Sequence, residues 1–182
     1  MKALTKSILV LCIIFLAQTV YAQNIYRTQN GTLEVRAILA DSALHLRSKE
    51  LAILLNYEDA TFEMQVNPSS FRTGNDSLDE VLSNLSGNQI SLTGKLGLEY
   101  INTTGHPPLD FQFTGVLSTS NEMVGGVGYL EHITNKGLFS CVLTMNFTMK
   151  VEDLGVDISG LNPDDEVQFE VVQIVMNRLE DQ

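Results

Sequence analysis

Phe139-Ser140-Cys141-Val142-Leu143-Thr144-Met145-Asn146-Phe147-Thr148-Met149-Lys150-Val151 decides the fold class. Apolar side chains stand at every second position from Phe139 to Val151, and the residues between them are polar except Val142. A strand sends successive side chains to opposite faces, so a period of two loads one face with apolar groups. A helix would scatter the same set around its axis. The stretch reads as a strand with one dry face and one wet face.

The same alternation recurs on both sides of it. Leu33-Val35-Ala37-Leu39, Leu51-Ile53-Leu55-Tyr57, Phe62-Met64-Val66, Leu109-Phe111-Phe113 and Val167-Phe169-Val171 each predict a strand, and Ile90 to Tyr100 predicts a long one. A further strand is expected around Met123–Ile133. The breaks carry turn chemistry: Asn30-Gly31 before the first run, Glu58-Asp59 in a short hairpin, Thr104 to Pro108, and Asn135-Lys136-Gly137. About eight short strands in regular succession predict an antiparallel sandwich or barrel. Leu78, Val81, Leu82 and Leu85 recur instead at helical spacing, with Asn75 or Asp76 able to cap the first turn, and predict one short helix that plugs or flanks the sheet. Glu152 to Glu166 reads as an acidic loop.

One short helix cannot cover so many inward apolar side chains, each contributing ~1.5–3 kcal/mol when fully buried. Closing the sheet on itself dries that face and removes both exposed edges. The expected fold is therefore all-β, an antiparallel closed barrel of about eight strands with one short helix. A membrane-spanning barrel would need an apolar outside with aromatic girdles. This chain has no Trp and five Tyr, and ends in Asn177-Arg178-Leu179-Glu180-Asp181-Gln182. The apolar faces are accordingly read as inward, and the protein as not integral to a membrane.

Residues 1–22 read as a signal peptide, with Lys2 and Lys6 ahead of an apolar run from Ile8 to Ala17 and Val20-Tyr21-Ala22 before the cleavage point. The run falls well short of the ~20 residues that span a bilayer. Residues 23–182 then form a single domain, expected to be periplasmic or secreted. Only Cys141 would remain, so no internal disulfide is possible and the core must hold the fold. Cleavage removes two of the 11 Lys and Arg and none of the 22 Asp and Glu, leaving a charge of −13. So acidic a surface repels phosphate backbones, which argues against nucleic acid as a partner.

No catalytic or metal-binding constellation is evident. His45, His106 and His132 stand apart in sequence, without the paired spacing of a zinc site. Cys141 shares the apolar face with Leu143 and reads as a small buried hydrophobe. Gly125-Gly126-Val127-Gly128 lacks the Lys-Ser/Thr of a phosphate loop and reads as a bent or bulged strand. Asp153, Asp157, Asp164, Asp165 and Glu166 do not match a calcium loop. No cofactor is expected, and an isomerase-like use of His45 or His132 is the only enzymatic reading.

Four segments carry a family resemblance. They are Thr61 to Val66 followed by Ser70-Phe71 and Ser77-Leu78-Asp79-Glu80-Val81-Leu82; His106-Pro107-Pro108-Leu109-Asp110-Phe111; Phe147 to Gly155; and Asp165-Glu166-Val167-Gln168-Phe169-Glu170-Val171. With them the chain resembles the YceI-like family of exported lipocalin-like barrels. It departs from that pattern at His132 to Gly137, where the family's glycine-threonine-arginine element is missing. The resemblance implies non-enzymatic binding, sequestration or transport of an isoprenoid or lipid-like ligand inside the barrel. Met64, Phe111, Phe113, Phe139, Leu143, Met145, Phe147 and Phe169 are the candidate lining. The alternative is a structural or protein-interaction domain in which the same side chains simply fill a core.

Overall fold

The computed structural model describes residues 24–39, 42–84, 89–103, 105–135, 138–154 and 162–178. The reading of residues 1–22 as a signal, and the placement of Leu85, Lys136-Gly137 and Asp157, lie outside them.

Eight strands follow one another around a closed barrel. They are β1 (Ile25–Leu39), β2 (Ser42–Asn56), β3 (Thr61–Val66), β4 (Ile90–Leu96), β5 (Leu109–Leu117), β6 (Met123–Asn135), β7 (Leu138–Lys150) and β8 (Glu166–Arg178). Each is antiparallel to the next, and β8 pairs back onto β1 from Tyr26 with Arg178 to Ala37 with Val167. The barrel thus has no free sheet edge along its seam. The apolar positions of the alternating runs form the core, and among the described residues only Ser48 is polar and fully buried within it.

The walls are unequal. β1, β2, β7 and β8 run 13 to 15 residues, whereas β3 and β4 have six and seven. β3 pairs only with Ala52 to Asn56, so the first half of β2 extends past it. The gap is filled by a 3₁₀ turn, Pro68–Ser70, and by Phe71, which packs on the core. A two-way backbone bridge between Arg47 and Arg72 fixes this segment to β2. Helix α1 (Asp76–Ser83) lies beyond the turn. The Oδ1 of Asn75 accepts from the amides of Ser77 and Leu78, and Asp76 and Asp79 add negative charge near the positive end of the helix. The Asp79 carboxylate also accepts from Thr73 N and Oγ1 and from Gly74 N; these hydrogen bonds hold its pKa below the usual carboxylate range.

Three expectations need correction. The Ile90 run is a strand only to Leu96: Gly97 N still donates to Gln112 O, but Ile101 N turns to Tyr57 O, and Tyr100 is 67% exposed. Asn30-Gly31 does not precede β1 but makes a bulge inside it, with register breaks on either side of Gly31. Gly125–Gly128 is not bulged: it pairs without interruption with Thr114 to Phe111 on one side, and Gly126–Gly128 pairs with Phe147 to Met145 on the other. Of the two placements expected for the helix, α1 takes the flanking one, for no residue in it is buried.

The glycines have a packing reason. A Cβ on Gly126 would sit 2.6 Å from Phe113 Cε1, and one on Gly128 would sit 2.5 Å from Phe111 Cε2. The two β5 rings lie over bare backbone on β6, where any larger residue would collide with them. Gly94 on β4 gives the same room to Phe62, whose Cζ would be 2.8 Å from an added Cβ.

Candidate functional site: an apolar mouth and a polar floor

The barrel has two ends of different chemistry. The helix end holds the β1–β2, β3–β4, β5–β6 and β7–β8 connections, and the histidine end holds the other three.

The candidate lining residues distribute along this axis. Leu143 and Met145 lie at the waist, beside Leu55, Leu130 and Val171, and none of these five has surface that water can touch. Met64, Phe111 and Phe113 are buried next to them. Phe147 and Phe169 also belong to the inner face, since Phe169 pairs with both Phe147 and buried Val35, yet both are only partly buried. Phe139 lies in β7, and its side chain is outside the described set.

Ring contacts join the waist to the helix end. Phe62 and Phe113 meet edge to face at 5.5 Å, Phe113 and Phe147 at 5.9 Å, and Phe147 stacks on Phe169 at 4.8 Å with the planes 4° apart. Leu44, Leu46, Phe71 and Ile90 complete a ring of half-buried apolar side chains around this staircase. The result is an apolar mouth toward the helix end, lined by half-buried side chains and backed by Ala37, Met149, Val151 and Val167, which are buried. Its polar element is a latch: Glu50 N donates to Ser48 Oγ, Ser48 and Ser70 hydroxyls lie 2.6 Å apart, and Ser70 Oγ donates to Asn67 O. With Ser70 donating to Asn67, the Ser48 hydroxyl must donate to Ser70. The latch ties the turn to the long wall.

The histidine end is different, and the sequence does not announce it. Tyr26 and Tyr57 stack at 4.2 Å, and His106 and His132 meet edge to face at 5.4 Å. The ring of Tyr57 lies 6.0 Å from that of His106 and 6.2 Å from that of His132. Cys141 pairs with His132 across β6 and β7, and its buried thiol stands near the Tyr57 hydroxyl. Burial pushes the Cys141 thiol up to about 12, so it is a neutral hydrophobe and no nucleophile. Burial, and then the neighbouring His106, lower the pKa of His132. Burial likewise raises that of Tyr57.

His45 lies elsewhere. It is on the outer face of β2, with Nε2 3.2 Å from Glu34 Oε2, and Arg36 and Arg47 approach the same carboxylate at 3.0 and 3.7 Å. Burial raises the Glu34 pKa, but the hydrogen bonds of His45 and Arg36 and the charges of His45 and Arg47 outweigh it and hold the group low. His45 and His132 therefore share no site. Of the acidic cluster, Asp164 and Glu152 pair with Lys150 at 2.9 and 3.3 Å, and Asp165 accepts from Asn162 N. Among the described residues no three His, Cys, Asp or Glu stand together as a metal site, and no helix is long and apolar enough to cross a membrane. A groove of about 420 Å³ between Gln112, Tyr129 and Asn146 lies on the outer face.

This architecture defines a closed eight-stranded antiparallel barrel with an apolar interior. No protein-family model matches the chain, and no curated protein matches it. Solved structures do. One is a polyisoprenoid binding domain from Saccharophagus degradans implicated in plant cell wall breakdown, with TM-score 0.62, 9% identity, and coverage of 86% of this chain and 99% of that one. Another is BcnA of Burkholderia cenocepacia, with TM-score 0.55, 10% identity, and coverage of 80% and 94%. At such identities the likeness is one of fold. The YceI-like resemblance read from the sequence fits at that level.

Proposed function

We propose that this protein is an exported, non-enzymatic carrier that takes an isoprenoid-like or lipid-like chain into its barrel through the apolar mouth at the helix end. The observation that carries the reading is the partial exposure of Phe147 and Phe169, two large aromatic side chains on the inner face of a barrel whose waist is otherwise fully dry. Large apolar side chains left wet on an inward face are unfavourable unless something else covers them. The fold likeness to a polyisoprenoid binding domain supports the same class of ligand. Ten methylenes buried at ~0.8 kcal/mol each would give ~8 kcal/mol, roughly micromolar before association costs. Entry past the mouth requires side chains to move. Met64, Met145 and Met149 are the ones able to repack without a large rotamer cost.

A second reading has its own observation. The waist side chains leave no water-sized space among them, as expected of a structural or interaction domain with a filled core. Native mass spectrometry of protein purified from its own host separates the two. A co-purifying apolar molecule, lost on solvent extraction, supports the carrier. Protein that emerges empty and binds no fluorescent fatty-acyl or isoprenoid probe leaves the structural domain.

A further inference from the structure

The floor of the barrel holds polar atoms where an apolar residue would be more stabilising. The Tyr57 hydroxyl is fully buried and finds no nitrogen or oxygen partner; its polar neighbour is the Cys141 sulfur, a weak one. His106 is more specific. Its Nδ1 lies 2.7 Å from Pro107 O, which can only accept, so Nδ1 carries the hydrogen. In the neutral ring Nε2 is then an acceptor, and it too is buried without a partner. A buried, unsatisfied polar atom costs about 1–3 kcal/mol. Two of them, one able to donate and one able to accept, stand on rings 6.0 Å apart at the end of an apolar interior.

We propose that the histidine end is a head-group subsite, in which Tyr57 donates to, and His106 Nε2 accepts from, the hydroxyl of an isoprenoid alcohol or a similar neutral amphiphile. The tail of that ligand runs toward the helix end. The inference rests on the carrier reading and adds the orientation and the head chemistry. A hydroxyl satisfies both atoms at once because it gives one hydrogen and takes another. A hydrocarbon end leaves both unmatched. A phosphate offers acceptors to an Nε2 that is itself an acceptor, and its charge would have to be stripped of water on a floor of stacked rings. Tyr57 is held for this task from both sides of the chain: its N donates to Asn24 O, and its O accepts from Ile101 N.

The test compares three probes of equal length, geranylgeraniol, its hydrocarbon lacking the hydroxyl, and its monophosphate, by displacement of a fluorescent probe. Wild type should bind the alcohol roughly 3- to 10-fold more tightly than the hydrocarbon, as one or two buried hydrogen bonds allow. Tyr57→Phe, which keeps the stack on Tyr26, should bring the alcohol down to the level of the hydrocarbon and leave the hydrocarbon unchanged. His106→Leu should do the same. In the ligand-free state Tyr57→Phe should unfold no more easily than wild type. Equal binding of alcohol and hydrocarbon by wild type would mean that the floor takes no head group, and would overturn the subsite while leaving the carrier intact. Tighter binding of the monophosphate would overturn the neutral head. Loss of stability in ligand-free Tyr57→Phe would mean that the hydroxyl already has a partner. If none of the three probes binds, it is the carrier reading that fails.

Discussion

The two ends of the barrel are made from the same strands and the same alternation, yet one encloses its inward side chains more completely than the other. At the histidine end Tyr26, Tyr57, Ile101, Cys141 and Met176 are almost wholly enclosed. At the helix end Leu44, Leu46, Phe147 and Phe169 occupy equivalent inward positions and keep part of their surface exposed. β3 and β4 stop short, so the wall there is finished by a turn held through the Arg47–Arg72 bridge and the Ser48–Ser70 contact. A segment with few hydrogen bonds and little buried surface opens at lower free energy than a strand in a closed sheet. Stability resides in the waist and the sealed end, and access resides in the mouth.

That division is most easily broken by cutting one aromatic from each part. Phe113→Ala at the waist should cost about 3–5 kcal/mol, since the ring is buried against Phe62, Phe147 and the bare backbone of Gly126. Phe169→Ala removes a ring that is only half covered and should cost about 1–2 kcal/mol, while weakening apolar probe binding more than Phe113→Ala does once stability is corrected for. Urea midpoints and probe titrations give both numbers. Equal stability losses would erase the distinction between waist and mouth.

The latch offers a smaller effect. Ser48→Ala should cost about 1 kcal/mol by removing the hydroxyl that accepts from Glu50 N and bonds Ser70. Hydrogen exchange should then quicken at the Arg47 and Arg72 amides and stay unchanged at Leu130 and Leu143. Faster exchange throughout would mean that the turn is not an independent unit.

The sealed end carries a pH signature. His132 has a lowered pKa in the folded protein, so the unfolded chain takes up its proton first as pH falls. Stability from this group is complete above the ordinary value of 6.5 and is lost as pH drops through it toward the lowered folded value. Between pH 7.5 and 5, wild type should lose stability, and His132→Phe should lose less. A variant with the same slope as wild type would place the titration elsewhere.

How much of this was legible depends on whether parity survives along a strand. In β7 it does, and Phe139 to Val151 read correctly as one strand with a dry side. In β1 it flips: Tyr26 faces inward at an even position and Leu33 at an odd one, because the bulge at Gly31 inserts the difference. In β8 it flips again, from Val167 and Val171 to Ile174 and Met176, near Gln173 with its φ of 34°. The alternation in Leu98-Tyr100 continues a pattern but not a strand. His132 and Tyr57 carried a usable signal, sharing parity with Leu130 and Leu55. His106 had none, as it reaches the floor from a loop whose course only the closed barrel defines.

The smallest effect is expected at α1, the one segment whose apolar residues recur at helical spacing. Leu78 and Val81 follow a helical period, yet in α1 they are 46% and 61% exposed. The helix is held by its Asn75 cap and by Asp79, both polar devices, and not by its apolar residues. Val81→Ser should therefore change stability by no more than about 0.5 kcal/mol, whereas Asp79→Ala should cost more than that, through the loss of the bonds from Thr73 and Gly74. A Val81 variant that lost more than the Asp79 variant would mean that α1 presses its apolar residues onto the barrel in solution. The mouth would then be closed, and the contrast between the two ends would disappear.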